Sequence, residues 1–449
     1  MTSTADDAPE DGPVPLLEPA GGVPPVIETP ESLAQAAAAL AAGSGPVAVD
    51  AERASGYRYG QRAYLIQLNR AGSGIHLVDP IVCGELTPLI EAISGVEWVL
   101  HAASQDIPCL AEVGLRPERI FDTELAGRLL GYPRVGLGSM VEIVLGLSLE
   151  KGHSAVDWSV RPLPEPWLRY AALDVEVLVE LRDALEAELK EAGKLEWAHQ
   201  EFATIVANPL AGPRVDPWRR VSGLHRVRRS RQLAVVRSLW ETRDRMAAGR
   251  DIAPGRILPD SAIVEAALTM PTTVEQLSGL AVFGGRSTRR SAATWFGAIE
   301  AARALPESEL PPAHLPASGP PPPRSWAERD PAAAARLSAL RAGVGKVADA
   351  HKLPTENLLA PDHLRRIAWT PPDDSSVTGI ERTLANFGAR PWQVDLTAEV
   401  ISSGLAAAAT AIEAAAEAKA EPKAEPKAEP KAEPKAEIDD TEDDELSVE

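Results

Sequence analysis

Residues 47–53 have the sequence VAVDAER, in which three apolar residues lead directly into two acids separated by an alanine. The apolar run follows the Gly45-Pro46 break and predicts a short strand over residues 47–49. Because successive side chains of a strand alternate between its two faces, we expect Asp50 and Glu52 on the same face. Two carboxylates crowded together repel each other unless a cation lies between them. The segment therefore predicts a strand that ends at a metal site.

The surrounding sequence predicts the sheet to which this strand belongs. Residues 64–68 and 75–78 are apolar and flank the turn Ala71-Gly72-Ser73-Gly74, and residues 98–100 form another apolar strand after the amphipathic segment 86–93. Strands followed by alternating helices and strands predict an α/β domain with a mixed sheet over residues 29–205. Apolar residues at helical spacing predict one long closing helix over residues 170–190.

Two further acids and a tyrosine extend the candidate site. Asp106, in HAASQDIPCL, falls in the first turns of the helix that follows residues 98–100, and Asp174 lies in RYAALDVEVL. Tyr170 precedes Asp174 by four residues, so the two side chains share a helix face. Carboxylate oxygens suit Mg²⁺ or Mn²⁺. Two such ions promote phosphodiester hydrolysis by lowering the pKa of a water and by stabilising the leaving 3′ oxygen.

Each of these residues taken singly has a structural alternative. Asp50 and Glu52 can form a polar strand end, and Asp106 can be an acid favoured by the dipole at a helix start. Tyr170 can be a buried aromatic at the start of its helix. Only the combination of the motifs in order favours catalysis over these alternatives.

The remainder of the chain is helical in pattern or rich in proline. We expect a disordered N-terminal segment, a helical domain after Gly212-Pro213, a proline-rich linker, a second helical domain and a disordered acidic tail, over residues 1–28, 222–306, 307–328, 329–405 and 406–449. The tail contains a KAEP repeat, in which proline at every fourth residue blocks a continuous helix.

Three segments resemble the three exonuclease motifs of ribonuclease D, namely VAVDAER with AYLIQL, HAASQDIPCL, and WSVRPLPEPWLRYAALDVEVL. That family has a ribonuclease H-like fold and belongs to the exonucleases with three aspartates, one glutamate and a tyrosine. The resemblance implies that Asp50, Glu52 and Asp174 hold one metal ion. It further implies that Asp50 bridges to a second ion, which Asp106 supports through water, and that Tyr170 orients the attacking water.

The helical domains carry a second resemblance. Residues 239–280 are similar to the HRDC domain, which ribonuclease D shares with certain helicases, and residues 331–405 look like a diverged second copy. Ribonuclease D has one exonuclease domain followed by two such domains, so the order agrees. The sequence lacks GxxxxGK[ST], which excludes a helicase motor. Two positions depart from the family pattern, since Arg53 stands where many relatives have an apolar residue and Ala51 replaces a common threonine.

The charge distribution predicts a surface for nucleic acid. The net charge is −20, but residues 214–256 contain twelve arginines and only four acids, whereas residues 438–449 contain seven acids. A basic segment within an acidic chain is a candidate phosphate-binding surface. We assign this role to four arginines, namely Arg226, Arg228, Arg229 and Arg231. The alternative is that they lie on a solvated helical face. The acidic tail can dock a protein partner or shield this basic surface.

These observations predict a metal-dependent 3′→5′ exoribonuclease that trims single-stranded RNA 3′ ends, such as those of tRNA precursors. A DNA 3′→5′ exonuclease acting in repair remains open, because no motif reports recognition of the 2′-hydroxyl. A non-catalytic nucleic-acid-binding protein also remains open, although all five catalytic positions carry the required residue types.

The sequence also predicts the cellular compartment. The first residues, MTSTADDAPEDG, are acidic, and no apolar run reaches the ~18 residues of a membrane span. Cys83 and Cys109 lie in no metal-binding spacing, so we expect neither a zinc site nor a disulfide framework. We therefore expect a cytoplasmic protein without a membrane partner. His101 is expected to pack or to hydrogen-bond, and His153 to contact substrate or to shape its loop.

Overall fold

The computed structural model describes residues 12–150, 152–153, 155–208, 212, 214–315 and 319–420. An N-terminal α/β domain is followed by two helical domains, as the sequence predicts. Within the described residues, no helix has the length and apolarity needed to cross a bilayer.

Among its described residues, the N-terminal domain contains eight strands: β1 (Val14–Leu16), β2 (Val26–Ile27), β3 (Ser44–Arg53), β4 (Ala63–Ala71), β5 (Gly74–Val78), β6 (Glu97–Leu100), β7 (Arg119–Asp122) and β8 (Leu147–Leu149). Six of them form a mixed sheet in the order β2–β5–β4–β3–β6–β7. The pairs around β4 are antiparallel and the outer pairs are parallel. A separate parallel pair joins β1 to β8. The expected turn at residues 71–74 connects β4 to β5.

In the part of this domain that the structure describes, nine α-helices connect and cover the sheet: α1 (Pro30–Ala42), α2 (Pro80–Cys83), α3 (Thr87–Ala92), α4 (Ile107–Glu112), α5 (Thr123–Leu130), α6 (Leu137–Leu145), α7 (Glu165–Glu176), α8 (Leu178–Glu191) and α9 (Leu195–Ala207). Val47 and Val49 of β3 belong to the main core, whereas Ala48 packs against Val175 and Leu178. Since side chains alternate along a strand, the face of Ala48, Asp50 and Glu52 is the face that α7 and α8 cover.

The predicted closing helix over residues 170–190 is interrupted. The helix α7 ends at Glu176, and α8 begins at Leu178 with Val177 between them. The side-chain amide of Asn69 donates to the carbonyl oxygen of Val175 at 3.3 Å. A side chain that binds a helical carbonyl competes with the helix ladder and breaks its continuity. Asn69 is 106 residues away in sequence, so helical spacing alone does not reveal this break.

The two helical domains repeat one order of helices. The middle domain contains α10 (Ser230–Arg250), α11 (Pro254–Ile257), α12 (Asp260–Thr269), α13 (Val274–Ser278), α14 (Arg286–Arg290) and α15 (Ala292–Ala304). The C-terminal domain contains α16 (Trp326–Arg329), α17 (Pro331–Ala350), α18 (Thr355–Leu358), α19 (Pro361–Trp369), α20 (Val377–Asn386) and α21 (Pro391–Ala420). Helices of 21, 4 and 10 residues begin the first series, and helices of 20, 4 and 9 residues recur in the second. The first helices of the two domains therefore share the same order of lengths, and an HRDC identity for the second domain stays a prediction.

The middle domain docks on the loop that follows β3. The hydroxyl of Tyr59 donates to Asp244 at 3.0 Å, and the backbone N–H of Ala253 donates to the carbonyl of Tyr57 at 3.0 Å. The guanidinium of Arg256 lies 4.3 Å from the centroid of the Tyr57 ring. The loop between β3 and β4 therefore links β3 to the middle domain.

The C-terminal domain shares a continuous core with the α/β domain. Trp197 of α9 stacks on Trp392 of α21 with ring centroids 4.9 Å apart. The buried ammonium of Lys194 donates at 2.6 Å to the carbonyls of Leu129 and His351, which lie at the ends of α5 and α17. A cation between two helix C-termini is favourable because it satisfies orphan carbonyls and opposes both dipoles. These contacts hold the two domains together.

The structure differs from three sequence-based boundaries. The prediction of disorder for residues 1–28 is wrong over residues 12–28, where β1 and β2 pair with distant strands; residues 1–11 lie outside the described residues. The expected linker 307–328 ends inside a domain, because Trp326 is buried in the C-terminal core. The tail expected from residue 406 begins later, since α21 continues to Ala420 and Ala408 is buried. Residues 421–449 lie outside the described residues.

Candidate active site

Three predicted ligands converge where β3 meets α7. One carboxylate oxygen of each of Asp50, Glu52 and Asp174 lies within 4.8 Å of the others. The alternation of β3 directs the first two toward α7, and α7 supplies the third. Asp174 lies more than 120 residues after Asp50 and Glu52 in sequence, and the packing of α7 across the centre of the sheet brings it beside them. A hard divalent cation takes such oxygen ligands, so this donor set fits Mg²⁺ or Mn²⁺.

Asp106 lies at the edge of this cluster and has a partner that the motifs did not assign. It occupies the position before α4, and its carboxylate lies 3.8 Å from the guanidinium of Arg53. Arg53 also donates to the carbonyl of Gln105 at 3.1 Å. Strand pairing skips one residue of β4 between Glu52 and Arg53, and such an irregularity re-aims the side chains beside it. Arg53 is thereby brought to the edge of the acidic cluster, which simple alternation does not predict.

Burial and mutual repulsion raise the pKa values of the four acids. Burial raises the pKa of Asp50. Burial, with added repulsion from neighbouring acids, raises the pKa of Glu52 and of Asp174 well above their usual ranges. Burial and the nearby Asp50 raise the pKa of Asp106 to about 8, although Arg53 opposes the shift. Divalent cations relieve both causes of these shifts, so the electrostatics agree with a metal-binding role.

Tyr170 projects from α7 into a cavity of about 510 Å³. Burial and the charge of Asp174 raise the pKa of its phenol, which therefore keeps its proton at neutral pH. The cavity is lined by all five predicted catalytic residues, by Arg53 and His101, and by a wall at Leu149, Glu150 and Gly152. The five motif residues thus meet in one place, open to a substrate.

Three further polar residues lie beside the predicted catalytic residues. His101 lines the cavity, but burial lowers its pKa to about 4 and its Nδ1 shares a hydrogen bond with Thr123 at 2.9 Å, as the expected packing role requires. His153 adopts a left-handed φ of 59° and packs edge-on against Tyr170, with ring centroids 5.9 Å apart. Gln67 is fully buried opposite Asp50 in the sheet, and its amide has no partner among the described residues.

The four arginines assigned to phosphate binding do not form a uniform group. Three of them are exposed and make no side-chain hydrogen bond or ion pair within the described part of the chain: Arg226, Arg228 and Arg229. Arg231 is half-buried and donates to the carbonyls of Arg303 and Leu305 at the end of α15. Arg231 therefore has a structural role, and three arginines remain candidates for phosphate contact.

Comparison with known proteins agrees with this geometry. Family models match residues 24–190 as a 3′-5′ exonuclease, residues 232–299 as an HRDC domain and residues 319–405 as a 3′ to 5′ exonuclease C-terminal domain. Ribonuclease D of Acidiphilium cryptum is 34% identical over 309 residues, which are 67% of this chain and 77% of the relative. The chain belongs to the ribonuclease D family.

Solved structures extend the likeness over nearly the whole fold. A protein from Bifidobacterium adolescentis matches with a TM-score of 0.82 and 39% identity, over 88% of this chain and 99% of that one. RNase D of Escherichia coli matches with a TM-score of 0.63 and 26% identity, over 85% and 98%. Membership in the family identifies the protein as a 3′-5′ exonuclease with an HRDC domain, dependent on divalent metal and acting on nucleic acid. The predicted fold class and enzyme class are confirmed.

Proposed function

We propose that this ribonuclease D-family protein uses two divalent ions, Mg²⁺ or Mn²⁺, to trim single-stranded RNA 3′ ends such as those of tRNA precursors. The observation that carries the proposal is the convergence of four acids and a protonated tyrosine in one open cavity. The Escherichia coli relative is described as an exoribonuclease involved in structured RNA processing, which favours RNA over DNA. The free thiols of Cys83 and Cys109 suit a reducing compartment, and we propose the cytoplasm.

The side chains divide the work of hydrolysis. Asp50, Glu52 and Asp174 would hold one ion, and Asp50 with Asp106 would hold the second. When bound, the ions would supply Lewis-acid activation of water and stabilisation of the leaving oxygen. Tyr170, protonated at neutral pH because its pKa is raised, would donate or accept a hydrogen bond that orients the attacking water.

Arg53 places one positive charge beside Asp106, at the edge of the acidic cluster. Its guanidinium lies 3.8 Å from Asp106 and on the cavity wall. There it partly balances the charge of the acids, and it offers donors to a substrate phosphate once cations neutralise Asp106. The arginine that departs from the family pattern thus becomes part of the proposed substrate side.

The test is degradation of a 5′-labelled single-stranded RNA and the matching DNA, side by side, with Mg²⁺, with Mn²⁺ and with EDTA. We expect single-nucleotide shortening from the 3′ end of RNA that requires metal, and Asp50→Asn should abolish it. Glu180→Gln changes an exposed acid on α8 outside the cavity and should match the wild type. Equal or faster shortening of DNA would replace the RNA assignment with the repair exonuclease, and activity of Asp50→Asn would remove the metal site from this cluster.

A further inference from the structure

The segment before the matched exonuclease model contacts two elements that border the catalytic cavity. The family match begins at residue 24, whereas the described chain begins twelve residues earlier and already contains β1. We call residues 12–25 the N-terminal strap. Residues 14–20 of the strap contact two parts of the domain that form one side of the cavity, namely β8 and α7.

The first half of the strap is fixed to β8. Val14 donates its backbone N–H to the carbonyl of Gly146 at 2.8 Å, and β1 pairs in parallel with β8 from Val14–Leu147 to Leu16–Leu149. Leu149 and the next residue, Glu150, line the cavity. An isolated pair of strands is marginally stable by itself, so this pairing needs further contacts to persist.

The second half of the strap supplies those contacts on α7. The carboxylate of Glu18 lies 2.9 Å from the guanidinium of Arg169, and the backbone N–H of Ala20 donates to the carboxylate of Glu176 at 2.8 Å. Arg169 and Glu176 are seven residues apart, which is two helical turns, so the strap follows one face of α7. The neighbouring face of the same helix carries Tyr170 and Asp174.

Between the two anchored elements lies a narrow cleft. It is lined by Glu150, His153, Arg169 and Tyr170, and its free volume of about 10 Å³ has room for roughly one water. If β8 and α7 moved apart, this cleft would merge with the catalytic cavity, and Tyr170 would lose the packing of His153 against its ring. The width of the cavity on this side therefore depends on what ties β8 to α7.

We propose that the N-terminal strap is a clasp that holds β8 and α7 together and thereby positions Tyr170 and the wall of Leu149, Glu150 and Gly152 around the terminal nucleotide. Glu18 and Arg169 are its positioning residues, acting through α7 and not on the substrate. The proposal deepens the proposed function of this site and rests on it for its kinetic effects. Its structural half, the tie between β8 and α7, stands independently of the substrate.

The first experiment deletes the clasp. Removing residues 1–22 should lower kcat on an RNA dinucleotide between about 10- and 100-fold, the range for a catalytic group displaced by about 1 Å. Hydrogen exchange of the peptide covering residues 146–150 should become faster. Removing only residues 1–11 is the matched control and should change neither quantity. Unchanged exchange and unchanged kcat in the longer deletion would overturn the proposal. Faster exchange in the longer deletion, together with a wild type that degrades no RNA, would refute the proposed function alone.

The second experiment uses point variants, which test the clasp even if the deletion variant folds poorly. Glu18→Lys places a cation against Arg169 across the clasp, and the loss of an exposed ion pair predicts about a 2- to 5-fold fall in kcat with little change in KM. The double variant with Arg169→Glu should restore kcat. Glu165 also pairs with Arg169, at 2.6 Å but within α7, so Glu165→Lys is the control. An equal loss in Glu165→Lys, or no rescue in the double variant, would show that the clasp does not position the site.

Discussion

Replacement of Asp106 by asparagine should separate the stability of the metal-free protein from its activity. The carboxyl group of Asp106 has a pKa of about 8 in the folded protein, against 3.8 for an ordinary aspartate. At pH 7 the folded protein keeps a proton that the unfolded chain has released, and at 1.36 kcal/mol per pH unit this costs about 4 kcal/mol. Asparagine has the same shape and requires no proton.

The metal-free Asp106→Asn variant should therefore be more stable than the wild type by on the order of 1–4 kcal/mol near pH 7. The lower limit allows for the lost attraction to Arg53 and for proton sharing among the acids. Because the folded-state pKa is raised, the wild type loses stability as pH rises from about 4 to 8. The advantage of the variant should accordingly vanish near pH 4 and be largest near pH 8.

Thermal unfolding in EDTA at pH 5 and pH 8 measures this difference, and repeating it with Mg²⁺ or Mn²⁺ measures the role of the carboxylate. Metal binding stabilises only the folded state, so the wild type should gain more than the variant. Asp122→Asn is an instructive control, since that buried carboxylate accepts four backbone N–H groups and its loss should destabilise the protein with or without metal. A lower melting temperature for Asp106→Asn than for wild type in EDTA at pH 8 would refute the reasoning.

The remaining predictions concern the nucleophile, the direction of attack and the basic surface. Tyr170→Phe keeps the ring but removes the hydroxyl, so the rate should fall about 10²–10⁴-fold with metal affinity unchanged; an unchanged rate would leave Tyr170 a packing residue. A circular single-stranded RNA should resist cleavage in a gel assay, and its rapid linearisation would indicate an endonuclease. Replacing Arg226, Arg228 and Arg229 together by alanine should weaken the binding of long RNA and reduce its salt dependence, with little effect on a dinucleotide. Identical salt slopes for the variant and the wild type would indicate that these arginines lie on a solvated face. Arg231→Met should instead lower the melting temperature, because Arg231 binds carbonyls at the end of α15.

The sequence by itself determined the elements whose signal is local. The strand of VAVDAER, the turn at residues 71–74 and the helical domains follow from periodicity. The order of the three motifs and their resemblance to ribonuclease D point to the five candidate catalytic residues. Alternation along β3 already places Asp50 and Glu52 on one face, because a strand has a period of two residues whatever surrounds it. These predictions required no knowledge of which elements pack together.

Tertiary structure decided the features that depend on partners distant in sequence. The strands β1 and β2 exist because β8 and β5 lie beside them, and α7 separates from α8 where Asn69 binds a helical carbonyl. Arg53 reaches the cavity through an irregular register with β4, and the Arg231 guanidinium binds a carbonyl at the end of α15. In each case a long-range hydrogen bond or packing contact outweighs a local preference of at most about 1 kcal/mol per residue, which is why the sequence pattern alone does not reveal it.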